Sequence, residues 1–285
     1  MTVGEALREG TARLSAAGVE NPGLDALLLL SDVLRLDKAV LLAHPEREVS
    51  PGSAGSYFAW IGRRCAREPL QYIRGVQEFW GLPIRVGPGC LIPRPETEHL
   101  VEIALDKLKE VRDPRVAEIG VGSGCVLAAL SMERPDGVYV GVDVSLEALA
   151  WASLNLAGRP GVLLVRSDLA DSSPLSNLDM ILSNPPYVTP GEWPDLPPEV
   201  AGHEPEKALL CASDDAIEPY RALCAWGAEA LRPGGNLVVE LGAVQASMAG
   251  RLRAIHESLE WEGMDRDLAQ RLRVASWRKK PGPAG

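Results

Sequence analysis

Cysteine, histidine, aromatic side chains and positive charge are all scarce in this 285-residue sequence, and each shortage removes a class of function. The five cysteines, Cys65, Cys90, Cys125, Cys211 and Cys224, are scattered and form no CxxC pair. So few thiols in so long a chain exclude a disulfide-stapled scaffold and are read as reduced and mostly buried. The four histidines, His44, His99, His203 and His256, form no HExxH and no other metal-ligand spacing, so no metal is expected. Lys and Arg number 29 against 39 Asp and Glu, a formal net charge of −10. An acidic chain lacks the positive field behind most non-specific nucleic-acid affinity, which disfavours direct DNA or RNA binding and favours a basic peptide or protein partner. Long apolar runs are missing too: stretches such as residues 26–30 fall far short of the ~20 residues of a membrane span. The start, MTVGEALREG, has no charged segment followed by an apolar one, so no signal peptide is expected. The expectation is a cytoplasmic protein with no membrane segment.

The chain is long enough for one large domain and a smaller one. Residues 1–75 read as a small helical bundle. Asn21-Pro22 and Ser50-Pro51 each offer an N-cap acceptor followed by a proline where no N–H is needed. Leu24, Leu27, Leu28, Ser31, Val33 and Leu34 follow at near-helical period, and a second helix is expected through Tyr57, Ile61 and Cys65 to about Glu68-Pro69. Residues 76–93 mix β-branched and aromatic side chains with Gly81, Pro83, Gly87, Pro88 and Gly89, which suits a β-hairpin or extended linker. From residue 94 to 285 helical and strand patterns alternate. Helices are expected over 97–111, 123–133, 146–156, 216–231 and 245–259. Strands are expected over 116–120, 137–143, 162–165, 180–184, 236–241 and within 272–277. This rhythm predicts an α/β domain built on a mostly parallel sheet with helices on both faces.

The segment VAEIGVGSG, residues 116–124, is a strand that runs into a GxGxG turn and then a helix. Glycines stand where backbone turns tightly and a ligand comes close, because no Cβ intervenes. The spacing is not the dinucleotide GxGxxG, and no GK[ST] follows, so phosphate gripping of the Walker type is disfavoured. About 20 residues on, the next strand ends in Asp143, a carboxylate able to accept two hydrogen bonds from vicinal ribose hydroxyls. The strand after that ends in Arg166-Ser-Asp168-Leu169, where Asp168 can accept from an adenine amino group and Leu169 can pack on the ring. Three such features at successive strand ends describe a nucleoside pocket.

The most specific signal is Asn184-Pro185-Pro186-Tyr187, placed where an apolar strand stops. Two prolines stiffen the backbone and remove two N–H donors, so carbonyl groups point outward beside a rigid aromatic. An amide nitrogen is a poor nucleophile because its lone pair is delocalised. To methylate it, an enzyme must hold both N–H hydrogens and turn the lone pair toward an electrophilic methyl. The Asn184 side-chain oxygen and the Pro185 carbonyl can each accept one hydrogen, and Tyr187 can lie against the planar group. Such catalysis is positional and electrostatic, and needs no metal. The same corner serves any planar conjugated amino group, including that of adenine, although an adenine-N6 enzyme usually brings a basic groove or a target-recognition domain.

Taken together, the GVGSG loop, Asp143, Asp168 and the NPPY corner resemble class I methyltransferases with a Rossmann-like seven-stranded sheet. More narrowly, the chain resembles the HemK/PrmC family of peptide-chain release factor glutamine N5-methyltransferases over nearly its whole length. The stretches that carry the likeness are REPLQYIRG at 67–75, EFW at 78–80, LIPRPETE at 91–98, HEPEKAL at 203–209 and LRPGGNLVVELG at 231–242. The resemblance implies S-adenosyl-L-methionine as cofactor and, as partner, the Gly-Gly-Gln loop of class 1 release factors, methylated on its glutamine. A ribosomal-protein glutamine is the alternative acceptor. It also implies that Glu118, Gly120, Val121, Gly122, Ser123, Gly124, Asp143, Asp168, Leu169 and Asn184 contact the cofactor. Asn184, Pro185, Pro186 and Tyr187 would hold the substrate amide, and Arg94 and Glu96 would shape the pocket mouth. Two positions depart from the family's usual pattern: Glu118 stands where Asp is common, and Leu169 where an aromatic is frequent. The helical N-terminal region would select the partner.

Overall fold

The computed structural model describes residues 1–168, 175–211, 213 and 215–281. Its helices begin with α1 (Val3–Ala16), α2 (Pro22–Leu34), α3 (Lys38–Ala43), α4 (Pro51–Cys65) and α5 (Leu70–Arg74). Strands β1 (Val76–Phe79) and β2 (Leu82–Arg85) precede α6 (Glu98–Leu108), β3 (Arg115–Ile119), α7 (Cys125–Glu133), β4 (Val138–Asp143), α8 (Leu146–Asn155), β5 (Val162–Arg166) and β6 (Leu178–Ser183). Then come α9 (Pro198–His203), α10 (Glu206–Leu209), α11 (Glu218–Ala230), β7 (Leu231–Glu240), α12 (Ala243–Ala246), α13 (Ala249–Arg253), β8 (Leu259–Arg266) and β9 (Leu272–Lys279). The chain divides into two compact units, Met1–Val76 with Pro197–His203, and Gln77–Leu196 with Glu204–Gly285.

The first unit is helical because its sequence caps and patterns its helices well. Thr2 and Glu5 form a capping box in which the Thr2 hydroxyl accepts from the Glu5 amide at 3.2 Å and Glu5 accepts from the Thr2 amide at 2.8 Å. Ser50 caps α4 by accepting from Ser53 N at 3.1 Å, and Pro51 sits at its first turn. Asn21 behaves differently from expectation: its side chain caps nothing, and Pro22 alone marks the start of α2. Helix α4 stops at Cys65, three residues short of Glu68, and Arg67 follows in a left-handed conformation with φ 66°. Leu14, Leu29, Leu30, Tyr57 and Ile61 form the buried core of the unit.

Nothing in residues 197–203 marks them in the sequence as part of the helical unit, yet α9 is tied to it by charge. Arg64 Nη1 meets Glu199 Oε1 at 2.9 Å, Arg67 Nη2 meets Glu199 Oε2 at 2.7 Å, and Arg64 Nε meets Asp25 at 2.8 Å. Arg64 and Asp25 are both buried, which is tolerable only because each is paired. The tightest packing lies at Gly10. A Cβ there would fall on the Tyr57 hydroxyl and 2.8 Å from Cζ. Gly10→Ala therefore destabilises the protein by about 1–3 kcal/mol despite alanine's better helix propensity, because overpacking outweighs a gain of ~1 kcal/mol. Urea unfolding measures the difference; an unchanged or raised midpoint would refute that packing.

The second unit begins with the expected hairpin, in which β1 pairs with β2. It is fastened to its own unit by Asn155 on α8, which exchanges hydrogen bonds with Arg85 N and O at 2.8 and 2.9 Å. The main sheet has seven strands in the order β5-β4-β3-β6-β7-β9-β8. The five strands from β5 to β7 pair in parallel, and β9 runs antiparallel to both its neighbours. Strand β6 is buried along its whole length and β3 in all but its first residue, as parallel strands covered on both faces require. This is the Rossmann-like seven-stranded arrangement. Strand order reverses at β3, which has β4 on one side and β6 on the other, and ligands bind at such switch points beyond the carboxyl ends of the strands.

The expectation of one helix over 245–259 is overturned. Two short helices, α12 and α13, occupy the first part, and Leu259 already opens strand β8. Leu252, Ile255 and Leu259 imitate a helical period, but Leu259 pairs with Lys279 across the β8/β9 ladder, and sheet pairing wins. The expected strand 236–241 also begins earlier: Leu231 already pairs with Leu178, with an irregularity before Asn236 meets Met180.

Candidate active site

Three of the expected features meet at the switch point. At the end of β3, Gly120, Gly122 and Gly124 all have positive φ, of 74°, 53° and 78°. Space around the added Cβ separates two of them. A Cβ on Gly124 would approach Leu156 Cδ1 to 3.0 Å and Ala152 Cα to 3.2 Å, so glycine lets α7 close on α8. A Cβ on Gly120 would meet nothing within 4 Å, so its side faces open space. The amides of Gly120 and Val121 both donate to Val142 O, at 2.8 and 3.0 Å, which locks the turn against the end of β4.

Asp143 ends β4 and organises that loop. Its Oδ2 accepts from Gly122 N at 3.0 Å and its Oδ1 from Ser145 N at 2.9 Å. Each carboxylate oxygen keeps a lone pair for a further donor. Glu118, one residue before the end of β3, is 3% exposed, and its Oε2 has no partner among the described residues. Burial pushes its pKa well above the ordinary carboxylate value, and the charge of Asp143 adds to the rise.

These groups line a cavity of about 860 Å³, within the ordinary range for a small-molecule site. Among the residues singled out from the sequence, Glu118, Gly120, Val121, Gly122, Ser123, Asp143, Asp168, Asn184, Pro186 and Arg94 line it. Gly124, Pro185 and Tyr187 are not among the residues that line it, and Glu96 borders a separate smaller cavity with His99, Glu102 and Asp267. Leu169 lies outside the described residues. Arg94 does not pair with Glu96. Its Nη2 meets Glu204 Oε1 at 2.5 Å, while Glu204 Oε2 accepts from Ile92 N at 3.0 Å. No group of three or more His, Cys, Asp or Glu among the described residues could hold a metal ion. No helix among them is long and apolar enough to cross a membrane.

Asn184 follows the last residue of β6, beside the exits of β3 and β7. Its Nδ2 donates to Thr97 Oγ1 at 3.3 Å, and its Oδ1 accepts from no described residue. The corner that follows is held from behind. Pro186 O accepts from Cys211 Sγ at 3.2 Å, and Tyr187 O accepts from Gln245 Nε2 at 2.9 Å. Among the described residues the Pro185 carbonyl accepts nothing.

Two family models match the chain: the PrmC N-terminal domain over residues 5–75, and the methyltransferase small domain over residues 98–195. A release factor glutamine methyltransferase of Bradyrhizobium diazoefficiens is 39% identical over 288 residues, covering 98% of this chain and 96% of the relative. One from Deinococcus radiodurans is 37% identical, covering 99% of this chain and all of the relative. The chain belongs to the release factor glutamine methyltransferase family. Its methyltransferase domain spans the glycine loop, Asp143 and the NPPY corner, all within the matched residues.

In this release factor glutamine methyltransferase family member, the supporting side chains are what sequence reasoning missed. Thr97, Glu204, Cys211 and Gln245 touch the corner or the mouth of the cavity from behind. Glu240 ends β7 and is 1% exposed, with Oε2 unpartnered. A detectable signal existed for it: a single carboxylate inside the apolar run Leu237-Val-Val-Glu-Leu241 is costly to bury unless it has a task. The ring of Tyr187 packs at Gly242, where an added Cβ would lie 2.8 Å from Cδ2. Burial pushes the Tyr187 phenol up to about 12, so it stays neutral at working pH.

Proposed function

We propose that the protein transfers a methyl group from S-adenosyl-L-methionine to the side-chain amide nitrogen of the glutamine in the Gly-Gly-Gln motif of class 1 peptide-chain release factors. The observation that carries this reading is the corner at 184–187. It places Asn184, whose Oδ1 accepts from no described residue, on the wall of the cavity that the glycine loop and Asp143 line, next in the chain to a Pro185 carbonyl that also accepts from none. When bound, S-adenosyl-L-methionine supplies a methyl group on a positively charged sulfur. The residues present fit it. Asp143 has acceptor capacity left for ribose hydroxyls, the open side of Gly120 leaves room for close approach, and the unpartnered Glu118 oxygen suits a ligand that carries positive charge. Asp168 at the cavity wall takes the adenine end, next to Leu169.

Asn184 Oδ1 and Pro185 O each hold one hydrogen of the substrate amide, which turns its lone pair into the cavity. The bound cofactor would supply the methyl group by release of its S–C bond, the electron pair staying on sulfur, and the amide nitrogen held by Asn184 and Pro185 would give up one hydrogen to solvent. Tyr187, kept neutral and wedged at Gly242, braces the corner so that the two acceptors keep their spacing. The catalysis is preorganised positioning. The helical unit is assigned to partner selection, and the chain's net charge of −10 suits a basic partner surface.

Incubation with methyl-labelled S-adenosyl-L-methionine and three acceptors, a release factor, a ribosomal protein and DNA, followed by mass spectrometry, tests the assignment. Label is expected on the Gly-Gly-Gln glutamine. Label on DNA alone would overturn it.

A further inference from the structure

Of the consecutive carbonyls from Pro185 to Val188, all but the first are taken from behind. Cys211 Sγ donates to Pro186 O at 3.2 Å, Gln245 Nε2 to Tyr187 O at 2.9 Å, and Cys211 N to Val188 O at 2.8 Å. The Pro185 carbonyl alone accepts from no described residue.

Among these donors Gln245 stands out. It is fully buried on α12, and the same Nε2 also donates to Ala216 O at 3.2 Å. Both neighbours are carbonyl oxygens, so the carboxamide turns its NH2 toward them, since the reverse orientation would set oxygen against oxygen. Its Oε1 then lies buried with no donor among the described residues. A buried acceptor left unsatisfied is costly, and an apolar side chain of similar size would avoid that cost. The polar head is therefore explained by its NH2 group alone.

The place of that NH2 group gives its task. The chain leaves the catalytic corner at Tyr187, runs through α9 and α10, and returns at Ala216 just ahead of α11. Gln245 ties the point of departure to the point of return. Gly242 makes the fit possible. Its φ of −74° suits any residue, but an added Cβ would lie 2.5 Å from Gln245 Oε1 and 2.8 Å from Tyr187 Cδ2.

Proline rings fix φ at residues 185 and 186, so only ψ of Pro186 is free to turn the Pro185 carbonyl relative to the Pro186 carbonyl. That torsion is pinned when the carbonyls after it are held. Cys211 holds Pro186 O through a weak S–H donor, which leaves the stronger hold to Gln245 on Tyr187 O. We propose that Gln245 is a positioning residue for methyl transfer: by holding Tyr187 O it fixes the direction in which the Pro185 carbonyl points. This rests on the reading of Pro185 O as an acceptor for the substrate amide.

The test has a kinetic and a structural arm. Gln245→Met keeps the volume and removes the NH2 group. On whichever acceptor the wild type labels, it lowers kcat by ~10²-fold, the cost of a ~1 Å misplacement, with an unchanged dissociation constant for S-adenosyl-L-methionine. In an Asn184→Ala background the same change costs less than ~3-fold, because groups that act as one unit are not additive. A purely structural role would cost the same factor in both backgrounds. Gly242→Ala keeps the carboxamide but displaces it; it gives the same signature and stands in if Gln245→Met does not fold. The structural arm needs no acceptor. In crystals of either variant with S-adenosylhomocysteine, the Pro185 carbonyl oxygen lies ~1 Å or more from its wild-type place. A kcat within ~3-fold of wild type, an equal loss in the Asn184→Ala background, or an unmoved Pro185 carbonyl overturns the assignment of Gln245. If the wild type labels DNA and no glutamine, while Gln245→Met slows that reaction in the same way, the role of Gln245 stands and the substrate assignment fails.

Discussion

Asn184→Ala lowers methyl transfer to the release factor by ~10²–10³-fold while leaving most of the affinity for S-adenosyl-L-methionine, because a preorganised polar group at the reacting atoms is worth that much in rate. The residue sits past the end of a fully buried strand, so the truncation costs little in folding. Its Oδ1 accepts from no described residue, which leaves it open to the substrate amide under the proposed assignment. The loss falls on kcat, since the interaction matters most as the amide lone pair is turned out of conjugation. Asn184→Asp is a sharper variant. It keeps the size but replaces the NH2 that meets Thr97 with an oxygen, and activity falls as far. Single-turnover kinetics with labelled methyl, beside calorimetry for the cofactor, separates the two steps. Turnover near the wild-type value would remove Asn184 from the mechanism.

Asp143→Ala has the opposite signature. It weakens S-adenosyl-L-methionine binding by ~10²-fold, the order expected from losing charge-assisted hydrogen bonds at ~1.5–3 kcal/mol each, partly replaced by water. Two effects combine in that number. The ribose loses its acceptor, and the glycine loop loses the carboxylate that now accepts from Gly122 N and Ser145 N. Asp143→Asn distinguishes them, since one oxygen remains to accept while the charge is gone. At saturating cofactor, kcat for either variant recovers toward that of the wild type. Isothermal titration gives the dissociation constant directly, and an unchanged value rules out the ribose assignment.

How much of this was legible in advance follows from where the information lies in the chain. The parallel half of the sheet was readable because each strand is an apolar run bounded by glycines or acids, and buried strands write themselves that way. Strand β8 was not readable. Its burial alternates only weakly, it carries Gly263 at φ 140° and two irregularities of pairing, and Leu252, Ile255 and Leu259 ahead of it mimic a helix. Its pairing to β9 is a tertiary fact. The same holds for residues 197–203, whose place in the helical unit rests on Glu199 meeting Arg64 and Arg67, more than 130 positions away in the chain.

The site divides along the same line. Glycine loop, Asp143 and Asn184 stand at strand ends in recognisable order, so their convergence on one cavity could be anticipated from the order of elements. Thr97 could not be joined to Asn184 that way, because the hydrogen bond between them spans 87 positions of the chain. Arg94 and Glu96, just ahead of α6, were both expected to shape the mouth of the pocket, and Arg94 lines the cavity. Arg94 pairs with Glu204, while Glu96 borders the smaller cavity.

The central claim concerns a geometry: a carboxamide held between Asn184 Oδ1 and Pro185 O. A crystal structure of the protein with S-adenosylhomocysteine and a release factor measures it directly. The account predicts the Gly-Gly-Gln glutamine nitrogen within ~3 Å of both oxygens, the ordinary span of an N–H···O bond. A glutamine side chain seated elsewhere, or a corner turned away from the bound nucleoside, would contradict it.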